Sequence, residues 1–544
     1  MSQTITNIAP LHENYNAYTS DGVLLHLTNA MGQDVHQELM SHGRWVGSAE
    51  ALDLARMANE NPPRLRSLDA RGERLDQVEF HPAYHALMRK AVSQGLHYSV
   101  WDRSDDEAGQ RHLRRAYRFM LTCQLEAGHT CPITMTNASV AIFLADEALA
   151  RDWLPRISTR TYDSSNKAPG NKRGLTVGMG MTERQGGTDL RQITTRAERA
   201  GSGANAGMWR LSGEKWFFSA PMCDAFFVLA RTDKGISCFL LPRLLPDGSN
   251  NGLRIQRLKN KLGNQSNASS EMLLDNAFAT LVGEEGRGIA LMLEMVTLSR
   301  LDCAVSSAAQ MRTALAEAVH HARHRKAFGK PLIDQPLMER VLADMALDVA
   351  AAQALTLRLA RSFDAAATSD AEGAYARLMT PVVKYWVCKA APALVVEAME
   401  CLGGNGYVED GIMARLYREA PLNAIWEGSG NVMCLDVLRA MGKSRGSVDA
   451  VLETISQGMG ATSQQTIDVL RITADMAMAD EGSARLFTEQ LALTAAAAEM
   501  RLSLPPMLAD AFVESRLGRP WRHTYGMMDA RMDARAIIDF VLPE

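Results

Sequence analysis

The sequence predicts a mostly α protein with a central antiparallel β domain, and two changes of texture along the chain carry that prediction. Up to about residue 155, apolar residues recur at three- and four-residue steps, as in AYHALMRKAVSQGL and RRAYRFMLTCQLEAGHT, the period of helices with one buried face. From residue 175 the pattern shortens to runs such as MWRLSGEKWFFS, DAFFVLART and GISCFLLP. These are often β-branched or aromatic and are separated by Gly, Asn or Asp, as in an antiparallel barrel or sandwich. After Gly288 helical spacing returns in much longer elements.

Taken in order, residues 1–174 read as an N-terminal helical domain in which NENPPRLRS and RSLDARGERLD are turns, closed by the polar loop 156–174. Residues 175–287 read as the middle β domain, with Ser212-Gly213 at a tight turn within one hairpin. Residues 288–445 read as a C-terminal four-helix bundle. Its first helix runs from about Ile289 to Arg325, and its second begins near Pro336 with Met338, Leu342, Met345, Val349 and Ala352 as a seam. The third spans roughly Ala374 to Leu402, with Pro381 near its first turns, and the fourth begins near Gly428. Residues 446–544 form a C-terminal helical extension, alanine-rich around LALTAAAAEM.

A chain of 544 residues exceeds what one hydrophobic core organises, which agrees with several domains. A formal charge of -4 on that length gives no overall pull toward nucleic acid or an anionic membrane. There is no apolar run long enough to span a bilayer, and MSQTITNIAPLHENYNAYTSDG has no basic-then-apolar signal pattern, so a cytoplasmic location is expected. Eight scattered cysteines without a C-x-x-C pair exclude the common zinc and dithiol signatures and suit a reducing compartment. No metal site is expected.

Five stretches could carry chemistry. Met181 to Asp189 leaves a strand at Thr182 and enters a loop with Gly186, Gly187 and a second hydroxyl at Thr188. Glycines let backbone N–H groups approach a flat or anionic ligand, and hydroxyls can bond ring heteroatoms or phosphate oxygens; the alternative is a plain connection between strands. In Trp216-Phe217-Phe218-Ser219, alternation sets Trp216 and Phe218 on one face and Phe217 and Ser219 on the other, either as a ligand wall or as core. Arg325 to Lys330 carries three cations where a long helix ends, followed by Gln335; they suit an anion, or simply the helix dipole. Glu400 to Tyr407 holds Gly403 and Gly404, which permit close backbone approach or end a helix. In Ile425 to Asn431, Glu427 lies between bulky apolar residues and glycines just before a helix, placed as a helix cap or as a general base with a raised pKa. Gly201 to Gly207 leads into a hairpin and not a helix, so it is no dinucleotide fingerprint; His320 and His324, four apart in a basic run, read as a solvated face and not a metal pair.

In order and spacing these five (TExxGxxD after a strand, an aromatic strand, RxxFG at a helix end, LGGNGY, and the EGS turn) resemble the acyl-CoA dehydrogenase family over nearly the whole chain. The stretches NPPRLRSLDARGERLDQVEFHPAYH, CPITMT, GMGMTERQGGTDL, KLGNQSNASSE, PLIDQPLMERVLADMAL and IWEGSGNVMCLDVLRAM, together with the extension past residue 445, are most similar to one branch of it. That branch comprises flavoproteins of the bacterial adaptive response to DNA alkylation.

The resemblance implies the acyl-CoA dehydrogenase fold and a homotetramer in which a neighbouring subunit completes each FAD site. The flavin and its phosphates would meet Met179, Met181, Thr182, Gly187 and Thr188, the strand residues Phe217, Phe218 and Ser219, and the turn residues Asn423, Trp426, Gly428, Ser429 and Asn431. Arg325, Phe328, Gln335, Gly403 and Gly404 match positions that reach a neighbour's FAD. Glu400 departs from the family, where many relatives carry Gln. The family places its catalytic Glu either in the turn before the last bundle helix or beside an Arg on the first; here the residue before Arg300 is Ser299, so the resemblance leaves Glu427 as the base.

The implied function is protection of DNA from alkylation, with double-stranded DNA binding and weak α,β-dehydrogenation of a short branched acyl-CoA of the isovaleryl type. The alternative is a metabolic short- or branched-chain acyl-CoA dehydrogenase without a DNA role. Either would pass electrons to an electron-transferring flavoprotein. DNA contacts would fall on Arg516, Arg519 and Arg522, with Trp521 and His523 among them. The chain from residue 443 carries ten Lys and Arg against fourteen Asp and Glu, so the extension as a whole is not basic, and pairing of those arginines with Glu514 and Asp510 or across a subunit interface is the competing reading. Flavin monooxygenases share the fold but have no use for a base at Glu427.

Overall fold

The computed structural model describes residues 6–102, 109–201, 207–443, 445–460, 463–518 and 531–543. Helices α1 (Gly22–Thr28), α2 (Gln33–Val46) and α3 (Ala49–Glu60) precede strands β1 (Arg64–Leu68) and β2 (Arg74–Glu79). Then follow α4 (Pro82–Ser93), α5 (Arg111–Leu125), α6 (Thr130–Phe143) and α7 (Glu147–Ile157). Strands β3 (Val177–Gly180), β4 (Arg196–Arg199), β5 (Trp209–Ser219), β6 (Ala225–Thr232), β7 (Gly235–Pro242), β8 (Leu253–Leu258) and β9 (Ser269–Val282) come next. After α8 (Gly288–His324), the short strands β10 (Lys326–Ala327) and β11 (Lys330–Pro331) lead to α9 (Pro336–Ala365) and α10 (Asp370–Cys401). Helices α11 (Gly404–Tyr407), α12 (Ile412–Glu419) and α13 (Gly430–Lys443) follow. The extension holds α14 (Arg445–Met459), α15 (Ser463–Ala479), α16 (Ala484–Ser503), α17 (Pro506–Phe512) and α18 (Ala534–Val541).

The chain divides into two compact units, Asp53–Ala108 with Glu126–Ser299, and Met1–Leu52 with Gly109–Leu125 and Arg300–Glu544. In the first, the sheet runs β3-β6-β4-β5-β9-β7, β8 pairs with β9, and β7 pairs back to β6, so the sheet closes on itself. Its pairs are mostly antiparallel, but β3 runs parallel to β6. Two expectations fail here. Of residues 59–76, read as turns, those around 69–73 do turn, but Arg64–Leu68 and the residues from Arg74 on form an antiparallel hairpin, β1 with β2. Ser212-Gly213 is not a turn: it lies inside β5, where the register to β9 breaks and the missing Cβ of Gly213 lets Thr195 approach within 2.5 Å of where that Cβ would stand.

The second unit is helical. Pro336 opens α9, where its missing N–H costs nothing, and Leu342, Met345, Val349 and Ala352 of the expected seam are buried. Ser369 caps α10 by accepting from the Glu372 N–H, with Asp370 and Glu372 favourably placed in the first turn. A buried bidentate pair, Arg115 to Asp302 at 2.6 and 2.7 Å, joins α5 to α8. The extension shares this unit's core: α16 packs on α9, α10, α13 and α14, burying Phe487, Leu491 and Ala496 completely. No helix among the described residues is long and apolar enough to cross a membrane.

Candidate active site

In the sheet unit, the loop after β3 is pinned from beneath by one carboxylate. Glu183 is 2% exposed and accepts hydrogen bonds from the Thr194 N–H (2.7 Å) and hydroxyl (2.8 Å), the Thr195 N–H (3.1 Å) and hydroxyl (2.5 Å), and the Gln185 amide (2.7 Å). Lys215, fully buried on β5, donates to the same carboxylate and to the Leu229 carbonyl, both at 2.8 Å. Burial pushes the Glu183 carboxyl up, but the Lys215 charge and these donors outweigh it and hold the group ionised well below the usual carboxylate range. The backbone then turns tightly, with Glu183 and Gly186 exchanging N–H···O bonds at 3.1 Å, and the Trp216 N–H ties the loop to β5 through the Thr182 carbonyl at 2.8 Å. A Cβ on Gly187 would stand 2.7 Å from the Thr182 hydroxyl, so glycine lets the two close up. The Thr182, Thr188 and Ser219 hydroxyls have no hydrogen-bond partner among the described residues.

The aromatic strand is divided differently from the expectation. Between Lys215 and Phe218 the register to β9 slips, so strict alternation fails. Phe217 is 50% exposed, and Trp216 is half-buried between Arg184 (4.7 Å to the ring centroid) and Lys259 (3.4 Å). Phe218 is fully buried, its ring 4.4 Å from that of Phe226 and beneath Gly180, where a Cβ would come within 2.4 Å of it. The Phe218 ring therefore belongs to the sheet core. Met179 and Met181 are half-buried.

In the helical unit, the turn before α13 is held by its carbonyls. Glu427 has φ +57, a left-handed conformation that costs a side-chain-bearing residue roughly 1–2 kcal/mol. Arg300 Nε donates to the Glu427 carbonyl at 2.9 Å and pairs with Asp436 at 2.8 Å. Lys384, 1% exposed on α10, donates to the carbonyls of Trp426 (2.9 Å) and Gly428. Gly428 has φ +106, a conformation that favours glycine, whereas a Cβ there would meet first only the mobile terminal methyl of Met433. Asn423 is buried; its amide donates to Ser307 (3.1 Å) and accepts from the Trp426 indole N–H (2.8 Å), so it helps to build the turn. Burial raises the Cys303 thiol well above its usual range, with the Lys384 charge pulling it down and Cys388 and Glu427 pushing it up. Ser299 is buried, its hydroxyl turned onto the Val296 carbonyl.

Phe328 sits at the tip of the β10–β11 hairpin, 99% exposed, with φ +49 beside Gly329 at φ +85. The Gln335 amide closes the hairpin on the Ala327 carbonyl at 2.9 Å, and Arg325 donates to the Asn7 carbonyl. Gly403 (φ +60) and Gly404 are exposed, with open space where a Cβ would stand; Glu400 is exposed too. Ser429 and Asn431 line a cavity of about 470 Å³ with Lys389 and Arg485, and Arg485 donates to Asn431 at 2.8 Å.

Sequence reasoning missed Glu183 as an anchor, Lys384 and Arg485. Lys384 and Lys215 left one signal, a lone cation in an apolar or aromatic run; Arg485 left none, being 54 residues from its partner. Arg516 is engaged within the protein, at 2.7 Å from Asp344 and 3.0 Å from Asp348, so it is not the free cation that a DNA contact requires. Arg519 and Arg522 lie outside the described residues. His320 is half-buried, stacking on His12 and donating to the Pro10 carbonyl at 2.9 Å, while His324 is exposed.

Comparison with known proteins shows the family. Residues 7–164 match the model of the adaptive response protein AidB N-terminal domain, 178–277 that of the acyl-CoA dehydrogenase middle domain, and 286–442 that of its C-terminal domain. The chain is 46% identical to AidB of Escherichia coli (strain K12), over 93% of this chain and 92% of that protein. It is 31% identical to acyl-CoA dehydrogenase family member 11 of Caenorhabditis elegans, over 76% and 68%. The crystal structure of Caenorhabditis elegans ACDH-11 in complex with C11-CoA superposes with a TM-score of 0.86 at 26% identity, covering 100% of this chain and 97% of that one. The chain belongs to the acyl-CoA dehydrogenase family of FAD-dependent oxidoreductases, with AidB among its relatives.

Proposed function

We propose that the protein dehydrogenates an acyl-CoA thioester between its α and β carbons, with Glu427 as the base that takes the α-proton. The observation that carries this reading is the turn itself. Glu427 is a non-glycine residue kept in a left-handed conformation, with its own carbonyl and both neighbouring ones bonded to buried or nearly buried cations. Such backbone strain persists only where the surroundings over-determine it, as at sites where a side chain must stand in one place. Ser299, at the family's other base position, has no carboxylate.

The residues present fit FAD. On the sheet unit, the unpartnered Thr182, Thr188 and Ser219 hydroxyls and the half-exposed Phe217 offer hydrogen bonds and an aromatic surface above a rigid loop. On the helical unit, the exposed Phe328 and the open backbone at Gly403 and Gly404 suit contact with a cofactor held by a second copy of the chain, in a homotetramer. When bound, FAD supplies acceptance of the hydride that leaves the β-carbon. The protein's part is to hold the Glu427 carboxylate in place and ionised until it accepts the α-proton. A short branched acyl group of the isovaleryl type, an electron-transferring flavoprotein as acceptor and a cytoplasmic location complete the reading; the C11-CoA bound by the nematode relative supports an acyl-CoA as the substrate class.

A second reading, DNA protection in the response to alkylation, is supported by the AidB match across residues 7–164. Binding of duplex DNA that weakens steeply with salt would favour it.

Anaerobic titration of the FAD-loaded protein with isovaleryl-CoA, following the flavin absorbance, tests the first reading. We expect prompt bleaching, slowed about 10²–10⁴-fold in Glu427→Gln. Bleaching at the parent rate in that variant would remove Glu427 from the role.

A further inference from the structure

The geometry points to Lys384 as a positioning residue for Glu427: its buried ammonium clamps the carbonyls on either side of that residue and leaves its charge beside the carboxylate-bearing turn. The inference rests on the reading of Glu427 as the base and adds a second residue to it.

A lysine almost wholly out of water needs partners for three N–H donors and for a full charge. Lys215 meets that need with the Glu183 carboxylate. Lys384 has no ion pair among the described residues; its partners are the carbonyls of Trp426 and Gly428. Arg300 takes the carbonyl between them. Three consecutive carbonyls are thus turned toward two cations from two helices, α10 and α8, and the residue in the middle is the one with positive φ. Rotating the Glu427 backbone out of that conformation would break at least one of these bonds inside the core, so the clamp and the strain hold each other.

The charge has its own consequence. The titratable and charged groups around Lys384 are Glu427 in the turn, Arg300, Asp302 and Cys303 on α8, Cys388 on its own helix, and Asp436 on α13. Asp302 is neutralised by Arg115, and Asp436 is shared by Arg300 and Arg439. Both thiols are pushed up by burial and stay protonated. Glu427 lies between the two carbonyls that Lys384 holds, and a cation close to a carboxylate favours its ionised form.

The test compares Lys384→Met with the parent and with Glu427→Gln, all full-length and FAD-loaded. We expect Lys384→Met to lower kcat about tenfold or more with little change in KM, the signature of a displaced base. The acidic limb of its pH profile should move up, because losing a nearby cation raises a carboxylate's pKa. Amide hydrogen exchange across residues 422–433 should quicken, with or without substrate. Where Lys384→Met does not fold, Lys384→Gln, equally neutral but able to donate one hydrogen bond, carries the same measurements. Parent-like kcat and an unmoved acidic limb in the lysine variant, while Glu427→Gln is inactive, would overturn the role of Lys384 alone. Full activity in Glu427→Gln would bring down the base and its positioning residue together.

Discussion

The loop after β3 and the turn before α13 are both unusual backbone held from below by a buried lysine, yet the two lysines are balanced in opposite ways. Lys215 faces Glu183, which collects hydrogen bonds from Thr194, Thr195 and Gln185 as well, so the charges cancel inside a saturated network. Lys384 faces carbonyl dipoles, and its charge remains to act on the neighbouring carboxylate. The first arrangement makes a rigid platform that presents the half-buried Thr182 and exposed Thr188 hydroxyls on which the proposed FAD seat rests. The second makes a strained turn that carries an ionisable group, as proton abstraction requires. A buried lysine can therefore be scaffold or electrostatic device, and its partner decides which.

Breaking the platform should give the largest effect. Glu183→Ala leaves Lys215 charged and unpaired in the core and frees two threonine hydroxyls, so we expect a loss of about 3–5 kcal/mol in chemical denaturation, with FAD lost as the loop opens. The pH dependence follows from the depressed carboxyl. Its stabilisation is fully present above the ordinary carboxylate pKa of about 4.3 and falls away only as pH drops well below it. The parent's acid-unfolding midpoint should thus lie lower than that of Glu183→Gln. Coincident acid transitions would show that the ion pair contributes nothing net.

The adjacent rings of β5 sharpen the platform's boundary. Phe218→Ala removes a fully buried ring against Phe226 and should cost about 3–5 kcal/mol. Phe217→Ala, half in solvent, should cost under about 0.5 kcal/mol yet weaken FAD retention. Equal thermal stabilities of the two variants would place both rings on the same footing and undo the division.

How far this was legible in the sequence depends on the range of the interaction. The helix expected over about Ile289 to Arg325 is Gly288–His324, and the break at Pro336 is where α9 begins, because period and proline chemistry are local. The β1–β2 hairpin was missed because RLRSL and RLDQVE each hold only two apolar residues among charged and polar ones and show no continuous apolar face. Ser212-Gly213 has the composition of a turn, but the glycine serves a close approach by Thr195, which no local pattern reveals. Motif order pointed to Glu427, Thr182 and Thr188. What holds them, Lys384 across 42 residues and Lys215 across 32, is set by packing and leaves only a lone charge in a buried run. The order of motifs is read from the sequence; the atoms that hold each motif are read from the fold.

The smallest expected effect probes how closely the platform fits. A Cβ at Gly187 would lie 2.7 Å from the Thr182 hydroxyl oxygen, 2.9 Å from its methyl and 3.2 Å from its own Cβ. The threonine cannot yield by swinging a distant tip, since the rigid β-branch itself is in the way, so Gly187→Ala must tilt Thr182 or shift the loop by a few tenths of an ångström. The anchors below, Glu183 and Lys215, are untouched, so thermal stability should change little. The displaced hydroxyl should instead raise the FAD dissociation constant about tenfold, the equivalent of one hydrogen bond of about 1.4 kcal/mol. Gly186→Ala, one residue earlier, meets nothing within 4 Å and should leave stability unchanged, which makes it the control for the loop's backbone. If Gly187→Ala lost stability as heavily as Glu183→Ala while keeping parent-like FAD affinity, the loop would be part of the core network and no seat at all, and the contrast with the Glu427 turn would lose its basis.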